Sequence, residues 1–408
     1  MSPRLPEGAP APADGRLPAP AVAELDGVPL GVYVHVPWCA ARCGYCDFNT
    51  YVPRQGELPR LGERFAVAAG AELRLAAGVL HPAPGDRARR PVRTVFLGGG
   101  TPSLLEPEVL GAVLRHVDAT LGLAPDAEVT CECNPESVDP GRLARLRAAG
   151  VTRVSFGMQS ARGHVLDALE RRHRPGRPEA AVAEARAAGF DAVGLDLIYG
   201  ADGETDEDWG ASLDAAIAAQ PDSISAYALT VEAGTRYAAH VRRGRRRITD
   251  DDVLGRRYAL ADERLSAAGY RWYELSNWAR TPQGVCRHNV LYWEGGAWWG
   301  VGPGAHSHVG GVRWWNVLRP EAWFAALDAG RSPAAGRETL GADERALEAL
   351  MTRIRRPDGV PVPDGAAGRV PELLDAGLVD PAAWRAGRVA LTPAGRPVAD
   401  AVVRRLVV

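Results

Sequence analysis

The sequence predicts an α/β fold in which six strand–helix units form an open or partial barrel, followed by an α+β extension and a small winged-helix-like module. Three observations predict it: short apolar runs alternate with helical stretches, two of these stretches end in glycine, and the pattern changes after residue 240. Alternation of strands and helices favours a parallel sheet with helical crossovers. A complete eight-unit barrel stays an alternative, which would need two more strands after Leu229.

The predicted strands are short apolar segments, each followed by a stretch of helical composition. They are Val32–Val36, Arg93–Leu97, Glu128–Glu132, Arg153–Phe156, Ala192–Ile198 and Ser223–Leu229. The predicted helices between them are Arg64–Leu80, Pro107–Leu121, Pro140–Gly150, Pro178–Gly189 and Asp206–Ala219, and the terminal glycines of two of them are typical of helix ends. In such folds, ligands bind at the carboxyl ends of the strands.

The composition divides the chain into four segments. Residues 1–25 are rich in Pro and Ala and lack the apolar core of a signal peptide, so we expect a disordered tail. Residues 26–240 form the barrel core, 241–335 an extension dense in Trp, Tyr and Gly, and 336–408 the small module. The elements predicted in the module are Ala342–Arg355, Pro371–Ala376 and Pro393–Leu406 as helices and Arg388–Leu391 as a strand.

Composition and charge exclude several classes of protein. The 408 residues are 46% hydrophobic and 24% charged, which is typical of a globular protein. The formal net charge of −2 argues against nucleic acid as a partner, even though a winged-helix-like module is predicted. No apolar run reaches the 18 or more residues of a membrane helix, and few cysteines in a long chain favour a reducing compartment. We therefore expect a cytoplasmic protein.

Three of the six cysteines lie within eight residues, directly after the first predicted strand: Cys39, Cys43 and Cys46. Thiolates at this spacing can hold an iron–sulfur cube, which normally takes four cysteines. Because only three are local, one iron keeps an open position, which the amino and carboxylate groups of S-adenosylmethionine (SAM) can occupy. Structural zinc is the alternative, but it needs four ligands and a second C-x2-C pair is missing. The spacing predicts a [4Fe–4S] cluster and SAM.

The stretch from Tyr33 to Asn49, which contains C-x3-C-x2-C, resembles the signature of radical SAM proteins of the oxygen-independent coproporphyrinogen III oxidase superfamily. The resemblance covers roughly residues 30–400 and implies the radical SAM type of partial (β/α)6 barrel. Four further motifs follow in the family's order, each after a predicted strand: Gly98-Gly99-Gly100-Thr101-Pro102, Glu132-Cys133-Asn134-Pro135, Gly157-Met158-Gln159-Ser160 and Asp196-Leu197-Ile198-Tyr199-Gly200.

The resemblance also implies which residues bind SAM. The glycine loop would meet its methionyl end, since glycine lets the backbone come close to a ligand. Tyr45 would contact the adenine through its backbone, and Arg171 is assigned in preference to its neighbour Arg172. The full set of implied SAM residues is Tyr33, Tyr45, Gly99, Gly100, Thr101, Glu132, Gln159, Arg171 and Asp196.

Two functions are implied on this scaffold: an oxidase that decarboxylates coproporphyrinogen III, and a haem chaperone of the HemW type. The oxidase branch typically has a fourth cysteine two residues after the third, where this chain has Phe48. Residues His288, Asn289, Tyr292 and Trp293 are similar to the H-N-x-x-Y-W motif of the chaperone branch. Both features favour the chaperone, and the oxidase is the alternative.

Haem needs a flat apolar slot and an axial ligand, which is often histidine. The tryptophans of residues 293–315 could supply the slot and His288 the ligand, although the same residues could instead form an ordinary core. His306 and His308, in the run Ala-His-Ser-His, could help to bind haem or could simply close a loop. The resemblance implies haem-accepting proteins as partners, such as respiratory haem proteins or a membrane-associated acceptor. An electron donor such as flavodoxin or ferredoxin and a homodimer are further expectations.

Overall fold

The computed structural model describes residues 5–83 and 85–407, whose strands form one large and one small sheet. The strands are β1 (Leu30–Val36), β2 (Val92–Gly99), β3 (Leu123–Cys133), β4 (Arg153–Gln159), β5 (Ala192–Tyr199), β6 (Ser223–Ala228), β7 (Arg271–Glu274), β8 (Asn277–Ala279), β9 (Ala297–Val301), β10 (His306–Val309), β11 (Val312–Asn316), β12 (Ala334–Thr339), β13 (Val360–Pro361) and β14 (Arg388–Val389).

The helices of the described residues are α1 (Ala19–Ala23), α2 (Leu58–Leu80), α3 (Asp86–Arg89), α4 (Pro107–Leu121), α5 (Pro140–Ala148), α6 (Gly163–Ala168), α7 (Arg177–Ala187), α8 (Asp206–Ala218), α9 (Arg236–Arg242), α10 (Asp251–Ala267), α11 (Arg287–Trp293), α12 (Pro320–Asp328), α13 (Ala342–Arg353), α14 (Val370–Asp375), α15 (Pro381–Arg385) and α16 (Ala399–Val407). None of them combines the length and hydrophobicity that a membrane span requires.

The large sheet has the strand order β12-β11-β10-β9-β1-β2-β3-β4-β5-β6-β8-β7. Neighbours from β1 to β6 are all parallel, and helices α2, α4, α5, α7 and α8 lie between them in the chain. The predicted partial barrel of six strand–helix units is therefore confirmed. After β6 the sheet continues through the antiparallel strand β8 instead of further strand–helix units, so the described residues do not form the eight-unit alternative.

Burial explains why the barrel strands are continuous apolar runs. In β1, Val32, Val34 and Val36 are fully buried on one face, and Leu30 is buried beside them. Strands of a parallel sheet covered by helices are apolar over most of their length for this reason. The parallel pairing aligns the ends of β1 and β2, so that Val36 lies opposite Gly99. The loops that follow these two strands therefore meet at one edge of the barrel.

The extension continues the barrel sheet. Strand β9 pairs in parallel with β1, and β10, β11 and β12 follow in antiparallel order. A buried carboxylate, Glu72 of α2, joins this region to the core. It accepts hydrogen bonds from the backbone N–H of Gly302 at 2.9 Å, Asn316 Nδ2 at 2.7 Å and Trp323 Nε1 at 2.8 Å. Burial raises the pKa of Glu72 to about 7, and these three donors offset the cost of its charge.

Residues 5–25 are ordered, so the prediction of a disordered tail is wrong for this part of the chain. Ala9 exchanges two backbone hydrogen bonds with Arg337 of β12, and Ser332 N donates to the carbonyl of Ala13. Ala21 and Leu25 are buried in the main core. Composition alone suggested disorder, but the segment covers the free edge of β12, where unpaired backbone groups need partners.

The C-terminal module has its own hydrophobic core. Its buried residues run from Leu350 to Leu406 and surround the two-stranded antiparallel sheet of β13 and β14. Strand β12 belongs to the large sheet, so the module begins at α13 rather than at residue 336. The last helix begins at Ala399, later than predicted, because Pro393 and Pro397 lack the N–H groups that a helix interior needs.

Candidate functional site

The three clustered cysteines lie on the loop that follows β1, and all three are partly buried. Backbone hydrogen bonds fix this loop at several points: Cys39 N donates to the carbonyl of Tyr51 at 3.0 Å, and Gly44 N donates to that of Leu169 at 3.1 Å. Tyr51 N in turn donates to the carbonyl of Pro37 at 2.7 Å. The loop is thus held at its start, middle and end.

Each of two cysteines has a side-chain donor close to its sulfur. Thr101 Oγ1 lies 3.6 Å from Cys39 Sγ, and Arg171 Nη1 lies 3.5 Å from Cys43 Sγ. Burial raises the pKa of the Cys46 thiol to about 11. Metal coordination deprotonates such a thiol, so iron ligation would supply the thiolate that burial disfavours.

Among the described residues, no group of three or more His, Cys, Asp or Glu side chains is arranged around a single metal ion. In an iron–sulfur cube each cysteine thiolate binds a different iron.

The cysteines open onto a cavity of about 160 Å³ at the carboxyl ends of the barrel strands. Eight of the nine residues implied to bind SAM line it: Tyr45, Gly99, Gly100, Thr101, Glu132, Gln159, Arg171 and Asp196. Tyr33 is the exception, since its side chain faces a neighbouring cavity and its hydroxyl shares a 2.9 Å hydrogen bond with His35 Nδ1. Arg172, the alternative to Arg171, is exposed.

The glycine loop can be built only with glycine. A Cβ atom at Gly100 would lie 2.6 Å from the carbonyl oxygen of Trp38 and 2.8 Å from that of Val36. Gly99 has a φ of +98°, which side chains rarely adopt, and its N–H donates to Glu132 Oε2 at 3.1 Å. The backbone therefore forms one wall of the cavity beside the cysteines.

Several polar groups of the cavity are positioned but incompletely satisfied. Gln159 has a left-handed backbone with a φ of +62°, and its buried Oε1 has no hydrogen-bond partner among the described residues. Arg171 lies just after α6, which ends at Ala168, and its Nη2 donates to the carbonyl of Gly157 at 3.0 Å. An unpaired buried acceptor is costly, which indicates that a ligand donor completes the site. The residues present fit SAM.

Two carboxylates, Glu132 and Asp196, line the barrel interior. Burial, and then the nearby charge of Asp196, raise the pKa of Glu132 to about 7. Burial also raises the pKa of Asp196, against the hydrogen bonds from Ser225 and Ser155, whose Oγ lies 3.0 Å from Asp196 Oδ2. A bound ligand with hydroxyl or ammonium donors would favour the charged forms of both.

The barrel interior contains a second, larger cavity of about 560 Å³ next to the cysteine cavity. Tyr45, Phe48, Glu132, Gln159 and Asp196 line both. The volume lies within the range of small-molecule sites, about 300–1,000 Å³. The two cavities together leave room for a ligand larger than the cysteine cavity alone could hold.

The residues of the H-N-x-x-Y-W motif lie on α11 and point to different places. His288 is buried, with Nδ1 2.8 Å from Thr94 Oγ1 and Nε2 2.8 Å from the hydroxyl of Tyr292, and its ring stacks on Phe96. Asn289 faces the barrel interior and Trp293 a cavity beside the C-terminal module. Both nitrogens of His288 are engaged, so neither is free for iron in this conformation.

The tryptophans of the extension divide into core and surface residues. Trp299, Trp314 and Trp315 are buried, and the first two pack edge to face at a ring distance of 4.8 Å. Trp293 and Trp298 are half-buried and line cavities. A slot made of all five rings is therefore not present, because alternate residues of β9 point to opposite faces.

The cysteine loop is tied to the extension through Asn49, a residue that the sequence analysis did not single out. Its Nδ2 donates to the carbonyls of Pro303 at 3.0 Å and Leu318 at 2.8 Å, and its own carbonyl lies 2.9 Å from His35 Nε2. Gly304 makes room, since a Cβ there would lie 2.7 Å from Asn49 Nδ2. Its place within the family's cysteine stretch was the one available signal.

Comparison with known proteins gives the class of this fold and site. Residues 33–216 match the Radical SAM superfamily. The fold is similar to that of coproporphyrinogen III oxidase (HemN) from Escherichia coli, described as a radical SAM enzyme, with a TM-score of 0.78 and 21% identity over 95% of this chain and 92% of that one. The fold is that of a radical SAM protein.

Full-length relatives define the family more closely. The heme chaperone HemW of Mycobacterium tuberculosis is 52% identical over 95% of this chain and 97% of its own length. HemW of Escherichia coli is 36% identical over 69% of this chain and 70% of its own length. A mouse mitochondrial protein, radical S-adenosyl methionine domain-containing protein 1, is 38% identical over 72% of this chain and 63% of its own length. The chain belongs to the HemW family of the radical SAM superfamily. Membership implies a [4Fe–4S] cluster and SAM.

Proposed function

We propose that this protein is a haem chaperone that binds a [4Fe–4S] cluster, SAM and haem and delivers haem to acceptor proteins. The observation that carries the proposal is the 52% identity to a protein named heme chaperone HemW over nearly the full length of both chains. The likeness to coproporphyrinogen III oxidase supports the fold alone, since only 21% of the residues are identical.

The local sequence at the cluster loop supports the chaperone over the oxidase. Two residues after Cys46, where oxidases of this superfamily typically have a further cysteine, stands Phe48. Its side chain is 54% exposed and borders the cysteine cavity, the barrel interior and the cavity that contains Tyr292. An exposed phenyl ring there suits contact with an apolar ligand and cannot bind metal.

In this proposal Cys39, Cys43 and Cys46 hold the cluster, and SAM occupies the adjoining cavity. Gly99, Gly100 and Thr101 approach its methionyl end, and Glu132 and Asp196 accept hydrogen bonds from its hydroxyl or amino groups. Gln159 uses its unpaired Oε1, and Arg171 holds positive charge beside the thiolates and the ligand carboxylate. When bound, a reduced cluster can pass an electron to SAM.

The remaining residues of the proposed sites have supporting roles. Tyr45 lines both the cysteine cavity and the barrel interior, where its backbone would meet the adenine. Tyr33, which lies 2.9 Å from His35, would act on SAM through the β1 strand rather than by direct contact. His288, Asn289, Tyr292 and Trp293 are proposed to form or support the haem site.

The proposed partners follow from the chemistry. Haem-accepting proteins, including respiratory and membrane-associated ones, would receive the cargo, and a flavodoxin or ferredoxin would reduce the cluster. We place the protein in the cytoplasm, where its three clustered thiols stay reduced and available to iron. A homodimer is a further proposal, which a measurement of the oligomeric state in solution tests. Nucleic acid is not among the proposed partners.

The experiment that separates the two functions is anaerobic incubation of the cluster-reconstituted protein with coproporphyrinogen III, SAM and a reductant. The chaperone proposal predicts no protoporphyrinogen under conditions in which an oxidase control turns over. Product at a rate comparable to that control would overturn the proposal and establish the oxidase. Iron content and SAM binding are measured on the same sample, so that a missing cofactor is recognised.

A further inference from the structure

A cavity of about 440 Å³ lies between the cluster loop and the start of β10. Aromatic and aliphatic side chains form more than half of its wall: Leu5, Tyr33, Phe48, Tyr292, Trp298 and Leu318. Its volume is in the range of cofactor sites. Because Phe48 and His306 are exposed, the cavity opens to solvent, which a carrier that must release its cargo requires.

Of the two histidines that line this cavity, His35 and His306, only His306 has no hydrogen bond to its ring among the described residues. His306, the first residue of β10, is exposed, and no hydrogen bond to its ring nitrogens is found in the described part of the chain. Its backbone carbonyl accepts a hydrogen bond from Trp298 Nε1 at 3.0 Å, which ties the Trp298 side chain to the start of β10. A free imidazole next to an apolar wall is the combination that haem iron and its ring need.

The other histidines nearby are engaged or buried. His288 uses both ring nitrogens, and His35 lies between the hydroxyl of Tyr33 and the carbonyl of Asn49, at 2.9 Å from each. Burial lowers the pKa of His288 to about 3 and that of His35 to about 4, so both remain neutral. The ring nitrogens of both histidines are used in hydrogen bonds that position the residues around the cavity. They are therefore not available to bind a metal.

Two further contacts at the margin of the cavity suit a haem. Arg42 lines the adjoining cysteine cavity, and its Nη2 donates to the carbonyl of Phe48 at 3.2 Å, so a propionate that reaches past Phe48 could pair with it. Tyr292 is held in the wall by its 2.8 Å hydrogen bond to His288. The motif residue His288 thus contributes to the cavity through Tyr292.

We propose that the haem cargo binds in this cavity with His306 as its iron ligand and with Phe48 and Trp298 against the porphyrin, while His288 acts as a positioning residue. This inference rests on the proposed function and adds the site and the ligand atom. It replaces His288, the ligand that the sequence suggested, by a histidine on a different element. It also places the cargo next to the loop that carries the cluster.

The test is titration of the full-length, cluster-reconstituted protein with ferric protoporphyrin IX, followed by absorption and resonance Raman spectroscopy. We expect His306→Ala to lose the histidine-ligated spectrum and to weaken binding by at least about tenfold, equivalent to about 1.4 kcal/mol. Free imidazole should restore the spectrum. His308→Ala is the matched control, two residues along the same strand. It removes a ring that packs against Trp298 but not the proposed ligand, so the histidine-ligated spectrum should remain.

The outcomes separate this inference from the function it rests on. A wild type that binds no haem would overturn the proposed function itself. A wild type that binds haem while His306→Ala keeps the same spectrum and affinity would overturn only the assignment of His306. The same holds if His308→Ala loses the histidine-ligated spectrum and His306→Ala does not. Unchanged iron and SAM content in both variants shows that each is folded.

Discussion

The imidazole of His288 hydrogen-bonds through Nε2 to the hydroxyl of Tyr292, one helical turn further along α11, at 2.8 Å. Side chains four residues apart lie on the same face of a helix, which makes this contact possible. The other nitrogen meets Thr94 of β2 at 2.8 Å, so that the pair links the extension to the barrel. His288 is therefore a structural residue, and its protonation should change the free energy of unfolding.

The neutral state of His288 predicts a pH effect on stability. Its pKa is lowered by burial from 6.5 to about 3, so below pH 6.5 the unfolded chain binds a proton that the folded protein does not. Stability is therefore lost as pH falls below 6.5. Between pH 7 and pH 5 the wild type should lose about 2 kcal/mol more free energy of unfolding than His288→Gln, measured by chemical denaturation.

The comparison of wild type and variant isolates this group, since His35 and His173, whose pKa values burial also lowers to about 4, are present in both. Parallel pH curves for the two proteins would contradict a neutral His288 in the folded state.

The cluster cysteines give a prediction on iron content. Replacing Cys39, Cys43 or Cys46 by Ala removes one of the three thiolates that the cluster needs, so iron and sulfide should fall to background after reconstitution. Cys131→Ala is the control, because Cys131 is buried in β3 and does not line the cysteine cavity. Full iron content in any of the three loop variants would rule out that residue as a ligand.

The glycine loop gives a prediction on SAM binding. In Gly100→Ala the new Cβ would meet two backbone carbonyls, those of Trp38 and Val36, which cannot move aside as a flexible side chain could. We expect the affinity for SAM, measured by equilibrium dialysis, to fall by at least about tenfold. Gly78→Ala in α2 is the control, with no atom within 4 Å of its Cβ, and should stabilise the helix by about 1 kcal/mol. Equal SAM affinity in both variants would exclude a close approach of the loop to SAM.

The contacts of Asn49 predict that the cluster loop depends on the extension. Asn49→Ala leaves the carbonyls of Pro303 and Leu318 without this donor, so the free energy of unfolding should fall by about 2–3 kcal/mol. Loss of cluster absorbance in air should also be faster. The exposed neighbour Asp47, which lines the cavity proposed for haem, supplies the control Asp47→Ala. If the two variants unfold alike, Asn49 does not hold the loop.

Periodic segments explain why most of the barrel could be predicted. Pro107–Leu121 is helical over the bounds that the sequence suggested, and the six predicted strands differ from β1–β6 by a few residues at their ends. The strands of the extension were not placed, because β7–β12 are short and rich in Trp and Gly, without the alternation that marks a strand. Composition wrongly predicts disorder for residues 5–25, because the residues that they contact, such as Arg337, are far away in the sequence.

At the site too, local patterns could be predicted from the sequence and contacts between distant residues could not. The residues around the cysteines follow strand ends in order, so their convergence could be predicted. The link from Asn49 to Pro303 spans 254 residues, and no local pattern indicates it. His288 was expected to face a ligand because of its motif, whereas only the packing of α11 against β2 reveals that both of its nitrogens are used.

The most direct test of the central claim is transfer of haem. The cluster-reconstituted protein, loaded with one equivalent of haem, is mixed with a haem-free acceptor such as apomyoglobin or an apocytochrome b, and the acceptor's spectrum is followed against free haem at the same concentration. The account predicts that haem leaves this protein and appears in a cognate apocytochrome faster than in apomyoglobin. Failure to bind haem, or release at equal rates to both acceptors, would contradict a chaperone function.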